Sequence, residues 1–370
     1  MRECRSIATA ALLTLAACAP RSYPDTLTDD PARWATWTRQ PEARYRGQVF
    51  EGDVSLAADP CVARDGDLLR MAYTCPTSAD TGGLCAATST DGLEWTRVPS
   101  IVEGVEGVVL NSTPGAWDHN LETCSLVPRD DRLELYFSGY PDVDDAGERA
   151  PSAIGLATST GGAPFAVDPT SPVLSATPHG YDGSDLFSAS VFPQDDALAM
   201  VYVGWCVPGY NQETSCEHGP ATVLLGATQG TDGAWTKRPT PVLEGRRDVP
   251  LMRDGVAEPA LVAGPDGRFY LFFSAGLGDT PRVTMLAVGD SPFGPWEINP
   301  EPLWQPEPAS FEACGAFAPS VLIENDQAAM WYLAMDDCGG ACTSCDFAKC
   351  GCEPTWSIGH ATAPWPLVHP

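Results

Sequence analysis

Residues 268–276 read RFYLFFSAG, and within that stretch Phe269 to Phe273 are five consecutive apolar or aromatic side chains. A run of this length between turn-forming residues suits a buried strand better than a helix, which needs ten or more residues. The same kind of run recurs as LLRMAYTC around Tyr73, LELYFSG around Phe137, ALAMVYVGW around Tyr202 and AAMWYLAM around Tyr332. Steps of 64, 65, 71 and 59 residues separate the five aromatics Tyr73, Phe137, Tyr202, Phe273 and Tyr332. Self-similarity at a nearly fixed period is the signature of a repeat architecture.

Two further elements share that phase. After each run comes a small-residue strand: CAATSTDGLEW, IGLATSTGGAPF, LLGATQGTDGAW, TMLAVGDSPFGPW and SIGHATAPW. It carries Ala87, Ala157, Ala227, Ala287 and Ala361 in matching places, followed in the first four copies by Trp95, Phe165, Trp235 and Trp296 across a Gly-containing turn. The fifth copy is shorter, with Trp365 four positions after Ala361. Before each run lies a short apolar strand closed by an acidic or Gly turn: ADPCVARDGD, LETCSLVPRDD, SASVFPQDD, AEPALVAGPDG and APSVLIENDQ. Three strands and a short fourth per repeat make a four-stranded antiparallel blade, and five of them make an all-β, five-bladed β-propeller. No stretch sustains a helical period, which excludes an α-solenoid, and a β-sandwich would not repeat so evenly.

The propeller is expected over residues 45–370, with blades at about 45–112, 113–177, 178–250, 251–308 and 309–370. The segment around Val49 to Val54 is the expected closing strand. Residues 18–44, rich in Pro, Asp and Thr, read as a tether with little structure. Residues 1–17 read as a signal peptide, with Arg2 and Arg5 ahead of a short apolar stretch from Ile7 to Ala17. That stretch is shorter than the roughly 20 residues a membrane-spanning helix needs, and no later stretch is long and apolar enough. Leu15-Ala16-Ala17-Cys18 resembles the lipobox of bacterial lipoproteins, which implies lipidation of Cys18 and attachment to the membrane through that lipid. Ala19, in place of Asp, implies the outer membrane under the same resemblance. The alternative is an ordinary secretory signal in which Cys18 is incidental.

Of 14 cysteines, Cys4 and Cys18 belong to the leader and anchor, leaving 12 for the folded part. An even, high count in an exported chain reads as disulfides. Cys75 with Cys85 and Cys206 with Cys216 are expected local staples. The run Cys338, Cys342, Cys345, Cys350, Cys352 holds no histidine and no paired CxxC spacing, so it too reads as disulfides rather than zinc, with its connectivity open. The formal charge of −28, or −29 without the leader, repels polyanions, so nucleic acid is not expected as a partner. Acidic polysaccharides are disfavoured unless the site is locally basic.

In a propeller the first strand of each blade lines the central channel, and side chains at its start meet at one mouth. The acidic candidates there are Asp59, Asp118, Glu122, Asp182, Asp185, Asp254, Glu258 and Glu312. Asp53, Asp118, Asp182, Asp254 and Glu312 recur in phase five to seven residues before the proline-equivalent position, as a structural carboxylate would. Asp59 and Glu258 break the symmetry. They stand directly before Pro60 and Pro259, where the other blades carry Thr123, Ser188 and Ala318. Glu122 also breaks it, one position earlier in its strand.

These features resemble the five-bladed glycoside hydrolases, namely the arabinanase/β-xylosidase group (family 43) and the invertase/levanase group (family 32). The resemblance spans nearly all of the chain after residue 44 and rests on short motifs: the blade-one Asp-Pro, the AxSxDGxxW element and the blade-four Glu-Pro. It implies that Asp59 is the base or nucleophile and Glu258 the general acid. The sequence also departs from those groups. Glu258 precedes its proline directly instead of through a glycine, Ser125 stands where the first group has an aspartate that tunes the acid, and the second group's Trp-Met-Asn-Asp-Pro and Arg-Asp-Pro runs are absent.

Two carboxyls are what glycosidic cleavage needs: one protonated at the leaving oxygen, one ionised on the other face of the sugar. A third nearby raises the acid's pKa, a part open to Glu122 or Asp185. Trp117, Tyr181 and Trp205 are expected platforms for a sugar ring. His119 is a candidate for substrate or a channel cation, and as a lone histidine it equally fits a hydrogen-bonded loop residue. No cofactor is expected beyond that cation. Three functions follow: a hydrolase of neutral saccharides at the cell envelope, a non-catalytic propeller that binds a glycan or partner, or an inert structural lipoprotein.

Overall fold

Five antiparallel blades stand around one axis, the fourth and fifth joined into one sheet by a parallel pairing of Arg282 and Val283 with Gly315 and Ala316, in a computed structural model that describes residues 25–46, 56–78, 81–143, 149–194, 197–206, 221–277 and 281–369. The inner strands are Ala58–Asp65, Asn120–Arg129, Asp185–Gln194, Ala257–Ala263 and Gly315–Glu324. Each packs against the next and the fifth against the first, which closes the propeller ring. The second strand of each blade carries the repeated aromatic run, and the third carries the repeated alanine. Ala87, Ala157, Ala227, Ala287 and Ala361 are all fully buried, because only a small side chain fits where one sheet lies on the next. Tyr73, Tyr202, Phe273 and Tyr332 are buried as well, and burial of each such ring contributes about 1.5–3 kcal/mol.

The N-terminal segment completes blade five. Thr38–Arg39 pairs antiparallel with Trp356–Pro364 and so supplies the fourth strand of blade five, and Tyr45–Arg46 adds to the same strand. Thr26–Leu27 pairs parallel with Glu297–Ile298 on the outside of blade four. The reading of this segment as an unstructured tether is therefore corrected from Asp25 onward. Trp34 and Trp37 bury themselves in the core of blades four and five, where each removes far more apolar surface from water than a Pro/Asp/Thr composition suggests. Residues 1–24, with Cys18, lie outside the described residues, as do Asp53 and the expected closing strand of Val49 to Val54.

Disulfides reinforce the loops. Cys75–Cys85 forms as expected. Cys206 is disulfide-bonded, while Cys216, its expected partner, lies outside the described residues. The cysteine-rich stretch is cross-linked as Cys314–Cys345, Cys338–Cys352 and Cys342–Cys350. Cys61–Cys124 joins the inner strands of blades one and two.

One irregularity is common to all five blades. Asp59, Thr123, Ser188, Glu258 and Ala318 have φ of 50°, 44°, 49°, 48° and 47°. Each sits at a β-bulge in its inner strand. In four blades two inner-strand residues oppose one repeated aromatic, as Asp59-Pro60 oppose Tyr73 and Glu258-Pro259 oppose Phe273. Proline is tolerated there because the bulge needs no ladder donor at that point. A left-handed non-glycine residue costs on the order of 1–3 kcal/mol. Since Thr123, Ser188 and Ala318 bear the same strain without a carboxylate, the strain belongs to the propeller's bulge rather than to Asp59 or Glu258.

Candidate active site

The bulges meet at the axis. Asp59-Pro60, Thr123-Cys124, Ser188-Ala189, Glu258-Pro259 and Ala318-Pro319 line one cavity of about 30 Å³. That throat has room for one or two waters and not for a sugar ring, so a saccharide would meet these side chains from the mouth. Asp59 and Glu258 thus face the same space from blades one and four, with Ala318 of blade five between them.

Their electrostatics are coupled. Burial pushes the Asp59 carboxyl up to about 8, the charges of Glu258 and Glu122 push the same way, and the Thr74 hydroxyl and Arg282 oppose them. Glu122 opens to solvent at the mouth but is walled by protein, and that burial raises its carboxyl. Arg149 opposes the rise, Asp185 and Glu258 add to it, and a hydrogen bond with Tyr140 lowers it. Protons in such a cluster belong to the group rather than to one residue, and the cluster keeps a proton near neutral pH. Glu258 Oε1 lies 4.0 Å from Arg282 Nη1, while Oε2 is buried with no hydrogen-bond partner among the described residues. A buried oxygen left so costs about 1–3 kcal/mol, which a donor on a ligand would recover.

Asp185 is committed elsewhere. Its two oxygens accept from Arg149 Nη2 at 2.7 Å and from the Ser152 amide at 2.7 Å. Arg149 in turn lies over the Tyr140 ring, 5.0 Å from its centroid. Of the two candidates for a third carboxyl, Glu122 is the one left for the cluster. Ser125, at the place of the resemblance's third aspartate, accepts the Val191 amide of blade three at 2.9 Å. Ser190 to Leu261 and Ser320 to Val62 make the same bond, so this position staples neighbouring blades.

The expected sugar platforms divide. Trp117 is stacked on Phe137 at 5.7 Å and 21° inside blade two and lies close over Gly139 and Gly155, so one of its faces is spent on packing the blade. Tyr181 packs against the core of blade three. Trp205 remains at the mouth, half-buried and directly across from Asp185 in the strand pair. His119 is a loop residue: Nδ1 accepts the Gly115 amide at 3.2 Å and Nε2 lies 3.7 Å from Asp142. Of the recurring carboxylates, Asp118, Asp182 and Glu312 are tied into their own blades, whereas Asp254 is exposed. Asp182 accepts from the Thr177 amide and from Tyr202 and Lys237, Glu312 from Tyr332 and Arg39, and Asp118 from Thr113.

Four residues near the carboxyls were not read from the sequence: Thr74, Tyr140, Arg149 and Arg282. Arg149 and Arg282 have no counterpart in phase in the other blades, so the repeat could not mark them. Thr74 does have counterparts in Ser138 and Ser274, a signal that was present.

No protein-family model matches the chain, and no curated protein does. Solved structures do. A protein described as a glycoside hydrolase superposes with a TM-score of 0.62 at 15% identity, over 90% of this chain and 94% of its own. A thermostable family-43 glycoside hydrolase gives 0.56 at 16%, over 85% and 94%. The Bombyx mori family-32 β-fructofuranosidase gives 0.59 at 14%, over 86% of this chain and 62% of its own. At these identities the likeness establishes the five-bladed propeller fold that these proteins share with this chain.

Proposed function

We propose that the chain is a glycoside hydrolase acting on neutral saccharides at the cell envelope. The observation that carries this is the pairing of Asp59 and Glu258. Of five equivalent bulge positions facing one throat, two bear carboxyls, and one of these keeps a buried, unpartnered oxygen. Structures of the same fold described as glycoside hydrolases support the reading. Glu258 would give its proton to the glycosidic oxygen as the bond from that oxygen to the anomeric carbon breaks. Asp59, ionised, would either take a proton from the attacking water or attack the anomeric carbon itself. Glu122, its own carboxyl raised by burial and by the charges of Asp185 and Glu258, would stand as the third carboxyl beside the pair. Neutral sugars fit because Asp59, Glu122, Glu258 and Asp185 outnumber Arg149 and Arg282, which disfavours an anionic ring. The envelope location rests on the leader and the lipobox at Cys18.

A second reading is favoured by the elevated Asp59 carboxyl: a protonated Asp59 is no base, and the same mouth would then bind a glycan without cutting it. A panel of arabinose-, xylose- and fructose-containing glycans separates the two. Hydrolysis by the wild type and at least a hundredfold less by Glu258→Gln supports the enzyme, whereas binding without turnover supports the second reading.

A further inference from the structure

We propose that Thr74 is the positioning residue for Asp59, its hydroxyl holding one carboxylate oxygen within the blade so that the other faces the throat. This rests on the reading of Asp59 as base or nucleophile. Thr74 lies on the second strand of blade one, opposite Ala58 at the edge of the bulge, and is 6% exposed. Its oxygen accepts the Thr123 amide of blade two at 3.0 Å, and its single proton is donated to Asp59 Oδ2 at 3.1 Å. The amide is fixed by backbone, so the oxygen is engaged from that side and the proton is left for Asp59. Asp59 Oδ1 is then the oxygen available to water or sugar.

The amide half of this relay is a device of the fold. Ser138 accepts the Ser188 amide of blade three at 3.0 Å and bonds the Thr123 hydroxyl at 2.6 Å. Ser274 accepts the Ala318 amide of blade five at 2.9 Å. In blade two the hydroxyl meets a threonine, whereas in blade one the same geometry delivers a proton to a carboxylate. Ser138 therefore serves as an internal control that shares the structural role without the carboxylate. The charged and titratable groups facing Asp59 are Glu258 and Arg282 of blade four and Glu122 and Tyr140 of blade two. Both glutamates favour protonated Asp59, while Arg282 and the Thr74 hydroxyl favour the ionised form. Removing Thr74 takes away the larger of those two.

The test is a carboxyl NMR titration of aspartate-labelled protein, with Asp59 assigned by loss of its signal in Asp59→Asn. Thr74→Val is expected to raise the Asp59 midpoint by about one pH unit, a tenfold fall in its ionised fraction on the acid side. The acidic limb of kcat/KM should move with it. Thr74→Ser should restore both, and Thr74→Ala gives the same readout should the valine variant not fold. Ser138→Ala should lower Tm without moving the Asp59 midpoint. An unchanged midpoint in the Thr74 variants, or an equal shift in Ser138→Ala, overturns the inference. A shifted midpoint in a protein that hydrolyses no glycan keeps the inference about Thr74 and removes the hydrolase reading instead.

Discussion

Asp59 and Glu258 occupy one and the same place in two different blades: each is the left-handed residue of a bulge, each precedes a proline, and both line a single throat. The backbone that aims them is common to all five blades, so the fold supplies the geometry and two substitutions in the repeat supply the chemistry. Blades two, three and five keep the bulge with Thr123, Ser188 and Ala318, and their amides bond hydroxyls of the preceding blade.

Burial of the Asp59 carboxyl makes stability depend on pH above the acid range. Its folded pKa is raised, so the folded protein binds a proton more tightly than the unfolded chain, and stability falls as pH climbs towards about 8. Asp59→Asn removes this dependence. Urea unfolding at pH 5 and pH 8 should show the variant gaining on the wild type as pH rises. A constant difference would mean that Asp59 is not desolvated.

His360 has the opposite sign. It lies on the third strand of blade five against Trp331, at 5.3 Å, and burial, with Arg44 nearby, lowers its pKa to about 4. The unfolded chain protonates it first, so stability is lost as pH falls from about 6.5 to about 4. In His360→Gln the acid limb of a Tm-versus-pH curve should flatten. An unchanged limb would place the acid sensitivity elsewhere.

The Cys61–Cys124 bridge closes a separation of 63 residues directly under the carboxyls, and Cys124 itself lines the throat. Chain-entropy arguments give such a cross-link about 4 kcal/mol. Cys61→Ala with Cys124→Ala should lose stability of that order, measured by urea unfolding, and should lower kcat/KM even at temperatures where the variant is fully folded. Full activity in the folded variant would show that the inner strands keep Asp59 and Glu122 in place unaided.

Trp117 belongs to packing, and the glycines beneath it show why. A Cβ on Gly155 would stand 2.5 Å from both Phe137 and Trp117. Gly155→Ala should cost about 1–3 kcal/mol through this overpacking and leave KM unchanged. A KM effect comparable with that of Trp205→Ala would return Trp117 to the binding surface.

The propeller was legible because its aromatics mark the bulges: Tyr73, Tyr202, Phe273 and Tyr332 each lie opposite one. Asp59 and Glu258 were legible because they break a repeat that otherwise holds. The same filter, applied to aromatics, would have removed Trp117 and Tyr181, since Trp117-Asp118, Tyr181-Asp182 and Phe311-Glu312 recur in phase. Trp34 and Trp37 hide in a polar segment that belongs to no repeat, so no pattern assigned them to blade five. The committed state of Asp185 depends on Arg149, which is distant in sequence and has no copy in the other blades.

The central claim is that Glu258 protonates a leaving group while Asp59 acts at the anomeric carbon. Its most direct test is the rate of each variant on two glycosides of the same sugar, one with a strongly acidic aryl leaving group and one with an alkyl group. Glu258→Gln should lose about a hundredfold or more on the alkyl glycoside and far less on the aryl one, which departs without a proton, while Asp59→Asn loses on both. Equal losses of Glu258→Gln on the two substrates, or wild-type rates in either variant, would contradict the assignment.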